Sequence, residues 1–163
     1  MENVTQQRIA LLHPKIRQQV SDLINKCDAV ICSNLEVRIV QGLRTIEEQN
    51  ALYAQGRTAP GKIVTNAKGG SSFHNYGLAI DFAFLVDGKD ISWDIQKDWD
   101  NDGVSDWKEV VNIFKAAGFS WGGEWHSIKD YPHLELTFGY TWQQLFSKYN
   151  KKDFITGTRY LNL

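Results

Sequence analysis

The spacing of apolar residues changes period several times along the chain, and each change predicts an element. Ile16, Val20, Leu23 and Ile24 recur at helical intervals behind Pro14, a residue suited to the first helical position, so 14–27 reads as a helix. VICSNLEVRIVQG, 30–42, carries β-branched residues and predicts a strand leading to Gly42. Thr45 and Glu48 then have the spacing of a capping box at the head of TIEEQNALYAQG, and Gly56 closes that helix. Residues 57–71, rich in Gly, Lys and Thr, predict a mobile surface loop. LAIDFAFLV, 78–86, is an apolar run of strand length that belongs in the middle of a sheet. WKEVVNIFKAAGF, 107–119, predicts an amphipathic helix ended by Gly118, and HLELTF, 133–138, alternates as a strand. TWQQLFSKY, 141–149, opens on a second capping box, Thr141 with Gln144, and the stretch from Asn150 predicts a tail that wraps back. The sum is one α+β domain over 1–163, with a small sheet, helices packed against it and long loops.

Composition narrows the partners. At 163 residues the chain can bury a full core without staples. Lys and Arg total 18 against 19 Asp and Glu, which offers no electrostatic case for nucleic acid or an anionic membrane. No run of 18 apolar residues exists, so membrane insertion is not expected. The N-terminus has neither a basic nor a long apolar region, so no secretory signal is read there. Cys27 and Cys32 are read as reduced thiols rather than a disulfide or a metal pair. The six Trp suggest a groove with aromatic walls, although core packing is their commoner use.

Four histidines limit any metal site to few candidates: His13, His74, His126 and His133. His13 precedes Pro14 and reads as a surface helix cap. His74 lies in a Ser/Gly-rich turn, seven residues before Asp81. His133 follows Pro132, with Asp130 three residues before it and Glu135 two after, and a carboxylate beside a metal site is the usual general base.

Ser72, His74, Gly77, Ala79 and Asp81 complete the pattern S-x-H-x-x-G-x-A-x-D, and Asp130 with His133 completes D-x-x-H about fifty residues on. With QGLRT at 41–45 and WGGEW at 121–125, these motifs resemble the zinc peptidases that cut peptidoglycan stem peptides. That family comprises D-Ala-D-Ala carboxypeptidases, vancomycin-resistance dipeptidases and L-alanyl-D-glutamate endopeptidases, and the resemblance spans about 37–138. It implies a small antiparallel sheet of the Hedgehog/D-Ala-D-Ala-peptidase type, and leaves 139–163 as a C-terminal helix and tail. It implies Zn(2+) held by His74, Asp81 and His133, Asp130 as catalytic base, and Arg44 as the group that binds substrate carboxylate or steadies the oxyanion. A structural salt bridge is the other reading of Arg44. Gln41, Ser72, Trp121, Glu124 and Trp125 are the expected substrate-binding residues, although a turn-forming hydroxyl serves equally for Ser72. Glu124 or Glu135 is expected to orient a ligating imidazole. Gly77 and Ala79 are expected to be small because the sheet packs closely behind the metal, and His126 reads as an exposed neighbour.

DWDNDGVSDWKE, 98–109, matches a second template. Asp98, Asp100, Asp102, Asp106 and Glu109 fill positions 1, 3, 5, 9 and 12 of a calcium loop, with Gly103 at its sharp turn and Val104 lending a carbonyl. Ser105 departs from the usual aliphatic residue, and ISWDIQK makes a poor entering helix. Ca(2+) is therefore weighed against an acidic turn that caps the following helix.

The leading expectation is a monomeric zinc peptidase acting on the peptidoglycan stem peptide, within the family most like L-alanyl-D-glutamate endopeptidases of endolysins and autolysins. A D,D-carboxypeptidase and a non-catalytic zinc- or calcium-binding wall module are the alternatives. With no secretory signal read, the chain is expected to be made in the cytoplasm and to reach the wall as a phage or prophage endolysin through a holin, or as a delivered effector.

Overall fold

The computed structural model of the chain describes residues 1–126 and 128–163. In order it runs α1 (Asn3–Ala10), α2 (Pro14–Asp28), β1 (Leu35–Gln41), α3 (Ile46–Ala54), a 3-10 turn (Phe73–Tyr76), β2 (Ala79–Val86) and β3 (Asp90–Ser92). Then follow α4 (Asp106–Ala116), β4 (Ser120–Trp121), a second 3-10 turn (Gly122–Glu124), β5 (His133–Glu135) and α5 (Trp142–Asn150).

β2 is the strand on which the sheet is built. Apart from Asp81 its sequence is apolar and almost wholly buried, as expected of a central strand. β1 pairs antiparallel along one edge, while β5 takes the first half of the other edge and β3 the second; β4 extends the sheet from β5. Ile80, Phe82 and Phe84 project to one face, where Val37 and Ile39 of β1 sit opposite Phe84 and Phe82. The Trp107 ring of α4 stacks on Phe82 at 4.3 Å, and Ile16, Val20 and Ile24 of α2 complete the same core. Burying side chains of this size contributes roughly 1.5–3 kcal/mol each.

The other face of β2 carries Asp81. Residues directly opposite in an antiparallel pair share a face, and Asp81 stands opposite His133 of β5. It also stands opposite Gln41 of β1, but only because the register shifts between Ile39 and Gln41. Without that irregularity Gln41 would lie on the core face with Ile39; the extra residue re-aims it to the Asp81 side.

Several boundaries differ from the sequence reading. The strand expected over 30–42 is confined to β1, because the Asp28 carboxylate turns back to accept from Val37 N–H at 2.8 Å and residues between them form a turn. The strand expected over 133–138 ends at Glu135, and left-handed backbone at Phe138 (φ 51°) and Gly139 (φ 80°) turns the chain away. α1 and β3 had too few apolar residues to be seen: α1 buries only Thr5 and Ile9, and β3 none. Both capping boxes form as expected, at Thr45/Glu48 and Thr141/Gln144. Cys27 and Cys32 are free thiols.

His13 does cap α2, through Nδ1 accepting from Lys15 N–H, but it is not on the surface. Its exposure is 0%, because the C-terminal tail folds over it: Nε2–H donates to the Leu161 carbonyl at 2.9 Å and Tyr160 stands edge-on at 5.7 Å. Both ring nitrogens are thus used by the neutral tautomer, and burial holds its pKa below the ordinary value, aided by Lys15 and Arg17 against the opposing Leu161 carbonyl. A base whose pKa is lower folded than unfolded stabilises above its unfolded pKa, roughly 6.5, and that stability drains away as pH falls below it. Urea melts of wild type and His13→Gln at pH 7.5 and pH 5 test this. The wild-type advantage, about 2 kcal/mol at pH 7.5 from the lost cap and tail bond, is expected to shrink at pH 5.

Candidate metal centre

The turn that carries His74 is shaped by its neighbours in sequence. Ser72 caps it, its hydroxyl accepting from His74 N–H at 3.4 Å, and Gly77 closes it in the left-handed region at φ 67°. A Cβ on Gly77 would come within 2.7 Å of the His13 backbone nitrogen, so the Gly is needed for space as well as for conformation. The close neighbour is therefore the Leu12–His13 backbone between α1 and α2, not the sheet as expected.

This turn swings His74 onto the Asp81–His133 pair. His74 Nε2 lies 3.1 Å from Asp81 Oδ1 and 3.2 Å from His133 Nδ1, and His133 Nδ1 lies 3.2 Å from the same oxygen. The opposite nitrogen of each ring is tied to an acceptor: His74 Nδ1–H donates to the Gly42 carbonyl and His133 Nε2–H to Glu135, both at 2.8 Å. Two bare imidazole nitrogens and a carboxylate oxygen therefore converge on one point, an arrangement that repels itself unless a cation or a proton occupies the centre. A tetrahedral ion bonded at about 2.0–2.1 Å spaces its ligands by about 3.3–3.4 Å, close to this triangle. Outer acceptors that fix each imidazole are the usual support of such a site. Of the two glutamates considered for this, Glu135 serves. Glu124 instead pairs with Lys115 on the exposed flank.

The charges match. Burial opposes ionisation of Asp81, but the two imidazoles outweigh it and hold the carboxyl well below its usual range. Burial likewise opposes charge on His133, yet the Asp81 and Glu135 carboxylates raise its pKa to about 9.

Asp130 and Arg44 face the same cleft, which encloses about 990 Å³ and is lined also by Gln41, Ser72, Trp125 and Lys129. Burial raises the Asp130 pKa, nearby Asp81 adds to the effect, and His133, His74 and Arg44 oppose it. Its segment is seated on Gly122: a Cβ there would meet the Asp130 carbonyl at 2.4 Å and His133 Cβ at 3.1 Å. Arg44 N–H donates to the His74 carbonyl at 3.0 Å, and its Nη1 donates to Gln49 Oε1 at 3.0 Å. It makes no ion pair among the described residues. Gln49, fully buried, was missed in the sequence; its place five residues after Arg44 on a predicted helix was the available signal.

Trp125 tilts against the His133 ring at 5.0 Å. Trp121, expected in the cleft wall, folds over its own Gly123 and donates from Nε1 to the Tyr131 carbonyl at 2.7 Å, so it braces the Asp130–His133 segment from behind. His126 is exposed, as expected.

The acidic loop is built differently from the His74–Asp81–His133 triangle. Asp98 accepts from Asn101, Asp102 and Gly103 N–H, and Asp102 accepts from Val104 N–H. Two carboxylate groupings share Asp100: Asp98, Asp100 and Asp102, and Asp100, Asp106 and Glu109. Asp106 is fully buried and already accepts from Cys32 and Trp99 N–H, both at 2.9 Å, so it clasps α4 to two other segments. Burial and the four surrounding aspartates raise Glu109 to about 7, and its Oε2 is buried without a partner among the described residues.

A family model described as "D-alanyl-D-alanine carboxypeptidase" matches residues 65–136. The peptidoglycan L-alanyl-D-glutamate endopeptidase CwlK of Bacillus subtilis (strain 168) is 50% identical over 125 residues, covering 77% of this chain and 73% of that protein. The L-alanyl-D-glutamate peptidase of Listeria phage A118 is 30% identical over 106 residues, 65% of this chain but only 32% of that longer protein. Among solved structures, the L-Ala D-Glu endopeptidase ChiX of Serratia marcescens superposes with a TM-score of 0.55 at 22% identity, covering 85% of this chain and 90% of that one. The vancomycin-resistance D,D-dipeptidase VanXYg gives 0.53 at 21%, covering 88% and 61%. At those identities the two structures speak for the fold alone. Half identity across most of the Bacillus relative, together with a family model that spans His74, Asp81 and His133, identifies the chain as a member of the M15 peptidase family.

Proposed function

We propose that the chain is a zinc-dependent peptidoglycan hydrolase that cuts the L-Ala–D-Glu bond of the stem peptide. The observation that carries this reading is the 50% identical relative, an L-alanyl-D-glutamate endopeptidase by name, set beside the His74–Asp81–His133 triangle. Two imidazoles and one carboxylate are a donor set that suits zinc and leaves a position open. When bound, zinc supplies Lewis acidity to the scissile carbonyl and activates a water for attack.

The chain's own residues do the rest. Asp130 lines the cleft three residues before His133; it takes the proton of the attacking water and returns it to the leaving amine. Arg44 is always charged and presents a rigid fork, so it steadies a carboxylate or the charge that develops on the carbonyl oxygen. Gln41 and Ser72 offer hydrogen bonds along the floor of the cleft, and Trp125 covers the His133 side. The place of action is the cell wall.

Digestion of purified sacculi, with identification of the new amino terminus, tests the bond assignment. A new D-Glu amine is expected; free D-Ala without it would make the chain a D,D-carboxypeptidase. Asp130→Asn is expected to lower kcat at least about a hundredfold while one zinc per chain is retained. Undiminished lysis by that variant would remove Asp130 from the mechanism, and no lysis by wild type loaded with zinc would make the chain a binding module.

We further infer that the 98–109 loop takes calcium as a structural ion. Support comes from the loop spacing, the two carboxylate groupings and the unpartnered oxygen of Glu109. Two features are unlike the full template: β3 and a bend stand where an entering helix would, and Asp106 is engaged by backbone N–H groups. Calcium at about a hundredfold excess over its dissociation constant is expected to stabilise the fold by about 2.7 kcal/mol. Thermal melts of wild type and Glu109→Gln with calcium or magnesium check this. An equal response to both ions, or none in wild type, would contradict it.

A further inference from the structure

We propose that Gln49 is a positioning residue that locks the Arg44 guanidinium and the cleft-wall loop to each other. The proposal rests on the peptidase reading only for the reaction in which Arg44 takes part.

Gln49 lies on α3 with an exposure of 0%. A buried primary amide is costly unless its polar atoms are matched, and here they are. Oε1 accepts from Arg44 Nη1 at 3.0 Å, while Nε2 donates to the Ala67 carbonyl at 2.8 Å and to Thr65 Oγ1 at 3.4 Å. The amide has one orientation only, because a guanidinium can only donate and a carbonyl can only accept. Glutamate would keep the Arg44 contact but would neutralise that charge and set a second acceptor against the Ala67 carbonyl. The site therefore calls for an amide.

Each end of Gln49 holds something the cleft needs. On one side, Arg44 Nε is buried with no partner among the described residues, so the Nη1 bond to Gln49 is what fixes the plane of the fork. That plane sets where the remaining donors point, and the Arg44 charge is already felt at Asp130. On the other side, Thr65 and Ala67 belong to the loop that brings Ile63 and Val64 to the cleft wall. Both side chains are 57% exposed, so their own burial does little to anchor the loop. It is held instead by polar ties to α3 and its end: Gln49 from within, Asn50 to Gly69 N–H, and Arg57 to the Thr65 carbonyl and Asn66. Gln49 alone among these three also touches Arg44. Displacement of the wall by a bound ligand is thereby transmitted to the guanidinium.

The test is a double-mutant cycle with a direct view of Arg44. Gln49→Met, close in size and without polar atoms, is expected to lower kcat/KM about tenfold in the wild-type background. In an Arg44→Lys background the same change is expected to cost less than about twofold, since the fork it positions is gone. By NMR, the Arg44 guanidinium signals should be resolved in wild type and averaged in Gln49→Met. Gln49→Glu supplies a second variant if Gln49→Met folds poorly: Arg44 signals should stay resolved while amide exchange at Thr65 and Ala67 quickens. Equal losses in both backgrounds, or Arg44 signals indifferent to Gln49→Met, would overturn the proposal. Should wild type cut a different stem bond, the reaction assignment above fails, and the NMR comparison still decides the role of Gln49.

Discussion

Asp81 and His133 face each other across two antiparallel strands, and the rest of the site is arranged around that pair. Their register puts a carboxylate and an imidazole on the same face of the sheet, 3.2 Å apart at the nearest atoms. A slip of one residue in either strand would turn its own member of the pair to the core, among Ile80 and Leu134, and part it from its partner. The apolar residues on either side of Asp81 resist such a slip, because Ile80 and Phe82 fit the helix-covered face. Hydrophobic packing thus fixes electrostatics: the core beneath β2 determines where the charge above it must lie.

Around this pair, chain segments distant in sequence are held by backbone contacts. Gly77 admits the Leu12–His13 backbone and so lets the His74 turn close. Gly122 admits the Asp130 carbonyl, and the Trp121 indole grips Tyr131 between Asp130 and His133. Gly42 contributes no side chain, yet its carbonyl selects the tautomer of His74. Small residues in the motifs here serve close approach, and the larger neighbours act as braces.

Much of this was legible in the sequence where the signal is local. Capping boxes, the central strand and the His–Asp spacing depend on residues a few positions apart, and each appears where it was read. The residues that meet at the site could be named from their motifs, though not the way they meet. What escaped depends on partners far along the chain. His13 looks like a surface cap until Leu161 and Tyr160 are folded over it. Glu124 looks like a cleft acid until Lys115, on a separate helix, claims it. Gln41 reaches the Asp81 face only through a register shift that no local pattern in LEVRIVQG announces. Gln49 was missed in part for the same reason: Arg44 stands five residues before it, but Thr65 and Ala67 belong to the loop beyond α3.

If the chain is a zinc peptidase, His74, Asp81 and His133 together bind one zinc ion. X-ray absorption at the zinc edge, on protein loaded with one equivalent, tests it most directly. Two imidazole nitrogens with oxygen completing the shell, and loss of the bound zinc in Asp81→Ala, are the predicted result. A shell containing sulfur from Cys27 or Cys32, or full zinc retention in Asp81→Ala, would contradict it.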